Sequence, residues 1–370
     1  MLARRSLVVL SLCAVAAVAL ADPQYQIHDL GVVLSTDSFS QGFRVSDNGI
    51  ATGRSFRTGA TQAFSWTLGG GIVGLTQPSN RAYAQGNGVN NAGVVVGTGS
   101  TTSFGSGALP FIWQGGTVQQ LGLPGGETIG RANDINNSNV VVGSVDGGSA
   151  EQAAIYVGGV GSVLTATTSG GSFMARALGI NNSGLIAAQG IDPTNAARNA
   201  GIVYDMNTNT AIDIGSLAGM NGALPFDVSN GGHVVGSAMM NQGSGTPFIW
   251  TAGGGMVAVA LPTGTSQGSA RGVNSSGWVV GTASSAFAIP FVNDGSQTYR
   301  LADLLVNPTG WDLLTNTSSS ALSIGDNGMI VGTAVLNGVV HGYAATPVPE
   351  PASMLALAAG IGLVARRRRK

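Results

Sequence analysis

Only one cysteine, Cys13, and one lysine, Lys370, occur in 370 residues. Charged residues amount to 9% of the chain, far below the usual quarter, and histidine occurs three times. So few thiols exclude a disulfide framework and a cysteine-ligated zinc site, and so few basic residues exclude a nucleic-acid-binding stripe. Glycine and proline, at 59 and 13, make up about a fifth of the chain, below the share that marks low-complexity disorder. Hydrophobic residues reach 44%, enough to build a core. A chain poor in charge and rich in Gly, Ser, Thr, Asn and Val is a poor helix former and reads as all-β.

The two ends read as addresses. Residues 1–21 have the layout of a secretory signal peptide: basic Arg4 and Arg5, an apolar run from Leu7 to Leu20, and a small-residue cleavage site with Ala19 and Ala21. Cys13 lies inside that run, so the exported chain carries no cysteine and no thiol nucleophile. At the other end, Val348-Pro349-Glu350-Pro351 precedes an apolar run from Ala352 to Ala365, and Arg366 to Arg369 with Lys370 close the chain. As a helix, fourteen residues span about 21 Å, less than a bilayer core of roughly 30 Å. The expectation is a short helix that engages the inner membrane transiently through residues 352–365, with its basic end on the cytoplasmic side. Without these segments, nine arginines face sixteen acids, a formal net charge of −7.

This C-terminal arrangement, with Pro349-Glu350-Pro351 at its head, resembles the PEP-CTERM sorting signal of Gram-negative bacteria. The resemblance implies an exported protein, membrane-anchored until an exosortase cuts its tail, then released or attached at the surface of exopolysaccharide-producing cells.

Between the ends one phrase recurs seven times. It starts at Val45, Val89, Ile135, Ile180, Val228, Val273 and Ile324, as in VNNAGVVVG and INNSNVVVG, at spacings of 44 to 51 residues. A second phrase, such as AFSW at 63–66 or PFIW at 110–113 and 247–250, recurs equally often. The first reads as a hairpin whose fifth residue (Gly49, Gly93, Asn139, Gly184, Gly232, Gly277, Gly328) supplies a positive φ. The second reads as a third strand with its aromatic residues on one face. A fourth strand follows, for instance at 118–122 or 211–215. Four short strands in about 46 residues is the size of a β-propeller blade.

The last unit lacks a fourth strand, and residues 26–31 match that missing phrase. The expectation is an all-β, seven-bladed β-propeller over residues 22–346, closed by its N-terminal strand as in WD-repeat propellers. The signal peptide at 1–21 and a sorting helix within 347–370 flank it. The combined pattern also resembles the HAF family of extracellular repeats, which implies location and architecture but no reaction.

Little catalytic patterning stands out. His28, His233 and His341 occupy different repeat positions without ligand spacing, so no metal or cofactor is expected. Asp47-Asn48-Gly49 and Asp326-Asn327-Gly328 are turns rather than calcium loops. Trp66, Trp113, Trp250, Tyr156 and Tyr204 sit at one repeat position and read as packing between blades. Arg44, Arg131, Arg176 and Arg271 precede the first phrase by one to four residues, which places them near one channel mouth as ligand-binding candidates for acidic glycans. No catalytic residue is assigned. The expected function is a non-enzymatic surface or matrix binding module whose partners are signal peptidase, an exosortase and an exopolysaccharide or other surface glycan, with no nucleic acid. The alternative is a secreted polysaccharide lyase or glycosidase using charged residues at the mouth.

Overall fold

Each repeat folds into a small antiparallel sheet. The four strands of the first unit are Phe39–Val45, Ala51–Arg57, Ala60–Thr67 and Gly71–Gly74. The third unit repeats the plan with Ile129–Ile135, Val141–Asp146, Gln152–Val157 and Val160–Val163, paired in that order. The computed structural model describes residues 22–349 except 104, 147–149, 196–197 and 241–244. The Ala19–Ala21 cleavage site, Glu350, Pro351 and the apolar run 352–365 lie outside the described residues. No helix among the described residues is long and apolar enough to cross a membrane.

All seven phrases turn as their composition dictates. The connecting loop runs from the end of the first strand to the start of the second, and its fifth-position residue has positive φ in every case. The values are 93° at Gly49, 60° at Asn139 and 79° at Gly328. Glycine adopts this region without a Cβ penalty, and asparagine is the best-tolerated substitute.

The sheets pack face to face through apolar clusters that join neighbouring units. Val142 and Ala153 of the third unit pack with Met174, Ile186, Ile202 and Tyr204 of the fourth. Burying side chains of this size contributes roughly 1.5–3 kcal/mol each. The recurrent aromatics belong to these clusters: Trp66 and Trp113 are 4% and 3% exposed, and Tyr156 is 1% exposed. They are interior packing groups, as their fixed repeat position implied.

The last unit comprises Ser320–Ile324, Ile330–Leu336 and Val339–Pro347. The N-terminal strand Tyr25–Asp29 pairs antiparallel with Val339–Pro347, from Tyr25 opposite Pro347 to Asp29 opposite Tyr343. Val331 and Ala344 of this unit pack with Val45, Phe64 and Trp66 of the first, while Tyr25, Ile330 and Tyr343 pack with Val280 and Val292 of the sixth.

The recurrent asparagines stitch one unit to the next. At the second position of the phrase, Asn136 Oδ1 accepts the amides of Ser138 and Val140 at 3.0 Å, closing its own turn. Its Nδ2 donates to the Asn181 carbonyl of the following unit at 3.2 Å. Asn90 and Asn181 donate in the same way to Asn136 and Ser229. At the third position the donor is again in the preceding unit, but backbone and side chain exchange roles. The amides of Asn91, Asn137 and Asn182 donate to the side-chain oxygens of Asn137, Asn182 and Asn230 at 2.8–3.0 Å. The pair of asparagines is therefore a turn cap and an inter-sheet clasp at once.

Candidate functional site: a buried ionic layer between two cavities and a lateral cavity

The seven first strands converge, and each carries a register shift just before its phrase. Shifts fall between Gly42 and Arg44, Gly86 and Gly88, Ala132 and Asp134, Ala177 and Gly179, Pro225 and Asp227, Ala270 and Gly272, and Ala321 and Ser323. The residue skipped by each shift is a bulge residue, freed from the ladder and re-aimed. Those skipped residues (Phe43, Asn87, Asn133, Leu178, Phe226, Arg271 and Leu322) together line one central cavity of about 270 Å³.

One residue further along, the strands alternate large and small: Arg44, Gly88, Asp134, Gly179, Asp227, Gly272, Ser323. The alternation is steric. A Cβ on Gly88 would stand 2.7 Å from the Asp134 Cα, and one on Gly272 would stand 2.8 Å from the Ser323 Cα. Every second unit yields its side chain so that the next can reach inward.

Arg44 crosses this layer. Its guanidinium holds Asp134 through two hydrogen bonds, at 2.6 and 3.3 Å, and Asp227 at 2.9 Å. Asp134 also accepts the Ile180 amide at 3.0 Å, and Asp227 the Val273 amide at 3.1 Å. Burial alone would weaken Arg44's hold on its proton, but the two carboxylates outweigh it and raise its pKa. Burial raises the pKa of Asp227 in spite of Arg44. Beyond the plug lies a cavity of about 70 Å³, with Asp47, Asn91 and Asp326 at its far rim. Burial, and then the neighbouring Asp326, raises the Asp47 pKa.

A second, larger cavity opens beside the central one. It measures about 460 Å³ and is walled by residues of the first three units, sharing Asn87 and Asn133 with the central cavity. Phe39 and Phe56 stack on one side, with ring centroids 4.6 Å apart and planes 16° apart. Arg54 and Arg131 line it together with Tyr83 and Gln85.

The four arginines singled out in the sequence do not form one cluster. Arg44 is the plug. Arg271 lies on the central cavity with its guanidinium 4.1 Å over the Phe226 ring, and Nε donates to the Ser269 hydroxyl at 3.0 Å. Arg131 lines the lateral cavity. Arg176 is half-exposed and bound to Glu151 at 2.5 Å. The sequence reading missed Arg54, Phe39, Phe56 and Tyr83. Phe39, Phe56 and Tyr83 lie at positions where the units share no residue type, whereas Arg54 replaces a hydroxyl residue found at the same position as Thr98, Ser144, Ser237, Thr282 and Thr333, a break in the pattern that the sequence does carry.

The histidines sit apart from these cavities. His28 bonds Thr346 at 2.9 Å, His341 bonds Asp29 at 2.9 Å, and His233 bonds Ser229 at 3.2 Å. Among the described residues no group of three or more His, Cys, Asp or Glu is placed to hold a metal ion. Of the sorting-motif residues, Val348 donates its amide to the Gln24 carbonyl at 2.8 Å, and Pro349 is the last residue described.

Comparison with known proteins bears on the C-terminal motif and on the fold class. Residues 347–370 match the family model of the PEP-CTERM protein-sorting motif. That motif implies an exported protein sorted by an exosortase. No curated protein matches the sequence. Among solved structures, a streptogramin B lyase superposes with a TM-score of 0.52 at 12% identity, covering 88% of this chain and 98% of its own. A catalytically inactive virginiamycin B lyase from Staphylococcus aureus, solved with quinupristin, gives 0.52 at 10% identity, covering 88% and 100%. A prolyl endopeptidase gives 0.51 at 9% identity, covering 88% of this chain and 50% of that one. At such identities the likeness is one of fold: all-β and propeller-like.

Proposed function

We propose that the protein is exported, trimmed at its C-terminus by an exosortase, and serves at the cell surface or in the matrix as a non-enzymatic binding module. In this reading signal peptidase removes residues 1–21. The body is a seven-bladed ring of HAF-like extracellular repeats, closed when Tyr25–Asp29 joins the last unit. The pairing of that strand with Val339–Pro347 and the packing of the last unit on both the first and the sixth support closure.

The observation that carries the binding role is how charge is distributed at the centre. The Asp134 and Asp227 carboxylates are engaged by Arg44 and by backbone amides. Arg54, Arg131 and Arg271, on the cavities above, make no ion pair among the described residues. The acids hold the scaffold, and the cations face open volume. An acidic surface glycan is the partner this arrangement suits.

The full chain, produced in cells with and without an exosortase, tests the first half: the tail should be lost only where the enzyme is present. Incubation with acidic and neutral polysaccharides tests the second half. Retention on the polymer without release of new reducing ends is expected. Steady release of reducing ends would replace the binding reading with a polysaccharide-cleaving one.

A further inference from the structure

The lateral cavity combines three features that the binding reading does not by itself require. First, it holds two guanidiniums and no carboxylate: Arg54 and Arg131 are the charged residues of its wall. Arg54 is held only by neutral acceptors, with Nε on Gln41 Oε1 at 2.9 Å and Nη1 on Gln85 Oε1 at 3.3 Å. Arg131 has no hydrogen-bond or ion-pair partner among the described residues. Second, the Phe39–Phe56 stack presents an apolar wall, with both rings half-buried. Third, the remainder of the wall is amide and hydroxyl, from Gln85, Asn133, Thr98 and Ser100 among others.

Each feature selects. Two half-buried cations without a counter-charge favour an anion, and guanidiniums favour a planar oxyanion that takes two parallel hydrogen bonds. A bare inorganic anion leaves the phenylalanine wall unused. A flat aromatic acid leaves the amides and hydroxyls unused. A sugar ring offers an apolar C–H face to the wall and hydroxyls to the amides. A volume of about 460 Å³ is within the range of small-ligand sites.

We propose that this cavity is a binding site for an acidic pyranose, a sugar ring bearing a carboxylate, with the carboxylate on Arg54 and Arg131 and the ring face against Phe39 and Phe56. Burial without a counter-charge lowers the Arg54 pKa, and a bound carboxylate relieves that cost. The site lies on the first three units alone, so the protein takes one such sugar unit along a polymer rather than a ring of equivalent ones. The assignment rests on the binding-module reading above.

Calorimetric titration of the full chain with a hexuronate oligosaccharide, a neutral gluco-oligosaccharide, a sulfated galacto-oligosaccharide and inorganic phosphate tests it. The hexuronate should bind saturably and more weakly as salt rises, and the neutral sugar should not bind. Arg131→Gln, which breaks no hydrogen bond or ion pair among the described residues, should weaken hexuronate binding at least about tenfold with an unchanged melting temperature. Arg54→Gln should do the same, and Phe56→Leu should weaken it several-fold. If Arg54→Gln fails to fold, Arg131→Gln decides. Equal binding of the neutral sugar, preference for sulfate or phosphate, or unaltered hexuronate binding by Arg131→Gln each overturns the site. The two readings fail separately. A wild-type chain that holds no polysaccharide defeats the binding module, whereas a polymer held equally by wild type and Arg131→Gln defeats only this cavity.

Discussion

Arg44 and Asp134 stand 90 positions apart in the chain and two sheet units apart in space, yet their side chains meet at 2.6 Å with both largely buried. With Asp227 they form a three-member ionic layer across the converging first strands. Gly88 and Gly179 make room for it by having no side chains.

Removing the cation alone should be costly. Arg44→Met leaves two buried carboxylates facing each other, and the expected loss is about 3–5 kcal/mol. The triple change Arg44→Met with Asp134→Asn and Asp227→Asn keeps acceptors for the Ile180 and Val273 amides and should recover most of it. Urea denaturation of the two variants checks this; equal losses would show that the layer's worth is not in its charge balance.

Space, rather than charge, is tested at the intervening glycine. Gly88→Ala drives a Cβ to 2.7 Å from the Asp134 Cα, against backbone that cannot swing aside. A loss of roughly 1–3 kcal/mol is expected. Gly69→Ala, where a Cβ meets nothing within 4 Å, should be close to neutral. The comparison is made by thermal melting.

The asparagine clasp predicts an order among its members. Asn136→Ala removes the cap of its own turn and the bond to Asn181, and should cost about 1–2 kcal/mol. Asn136→Asp keeps the acceptor, but it loses the donated bond and sets a buried carboxylate against the Asn181 carbonyl, so at pH 7 it should cost at least as much. Asn137→Ala removes one acceptor from an exposed amide of the neighbouring unit and should cost least. Equilibrium unfolding of the three variants ranks them.

Acid dependence separates two aspartates with opposite signs. Asp47 has its pKa raised by burial and by Asp326, so its protonated form is favoured in the fold. Its contribution is fully present below the unfolded value near 4, and it is lost as pH rises through the folded one. Asp47→Asn should therefore stabilise at pH 7 by less than about 1 kcal/mol, with the gain vanishing below about pH 4. Asp312 is held down to about 2, first by the Thr315 hydroxyl. Its contribution is present above about pH 4 and fades as pH falls toward 2. Asp312→Asn should remove that acid-side fading. Melting temperatures between about pH 2 and 8 read both effects.

Much of the scaffold was legible because it is said seven times. An apolar residue, two small polar residues, a positive-φ residue and a valine-rich run place a hairpin wherever they occur, and Gly49, Asn139 and Gly328 all turn accordingly. The aromatic of the third strand, as at Trp66 and Trp113, is buried because alternation puts it on the face that meets the next sheet. The asparagines were legible only as turn residues. Their second duty, reaching the neighbouring unit, depends on how closely the sheets approach.

The site was less legible for a physical reason. Arg44, Arg131, Arg176 and Arg271 looked alike as basic residues shortly before a repeated phrase, and their fates differ by side-chain direction. A bulge turns Arg271 into the central cavity, while Arg44, next to the bulge of its own strand, falls in the plug layer. A one-residue shift in a strand exchanges its faces, and nothing in composition announces where a shift occurs.

Local chemistry in the sequence sufficed for the strands, the turns, the interior aromatics and the sorting motif at the C-terminus, since each depends on residues within a few positions of one another. Only the tertiary structure decided which charges meet and which are left facing open volume. Arg44 finds Asp134 and Asp227 because seven first strands converge at one place. Arg54 and Arg131 share a cavity because the first three units wall it together, a juxtaposition set by the packing of whole units rather than by any segment of the chain.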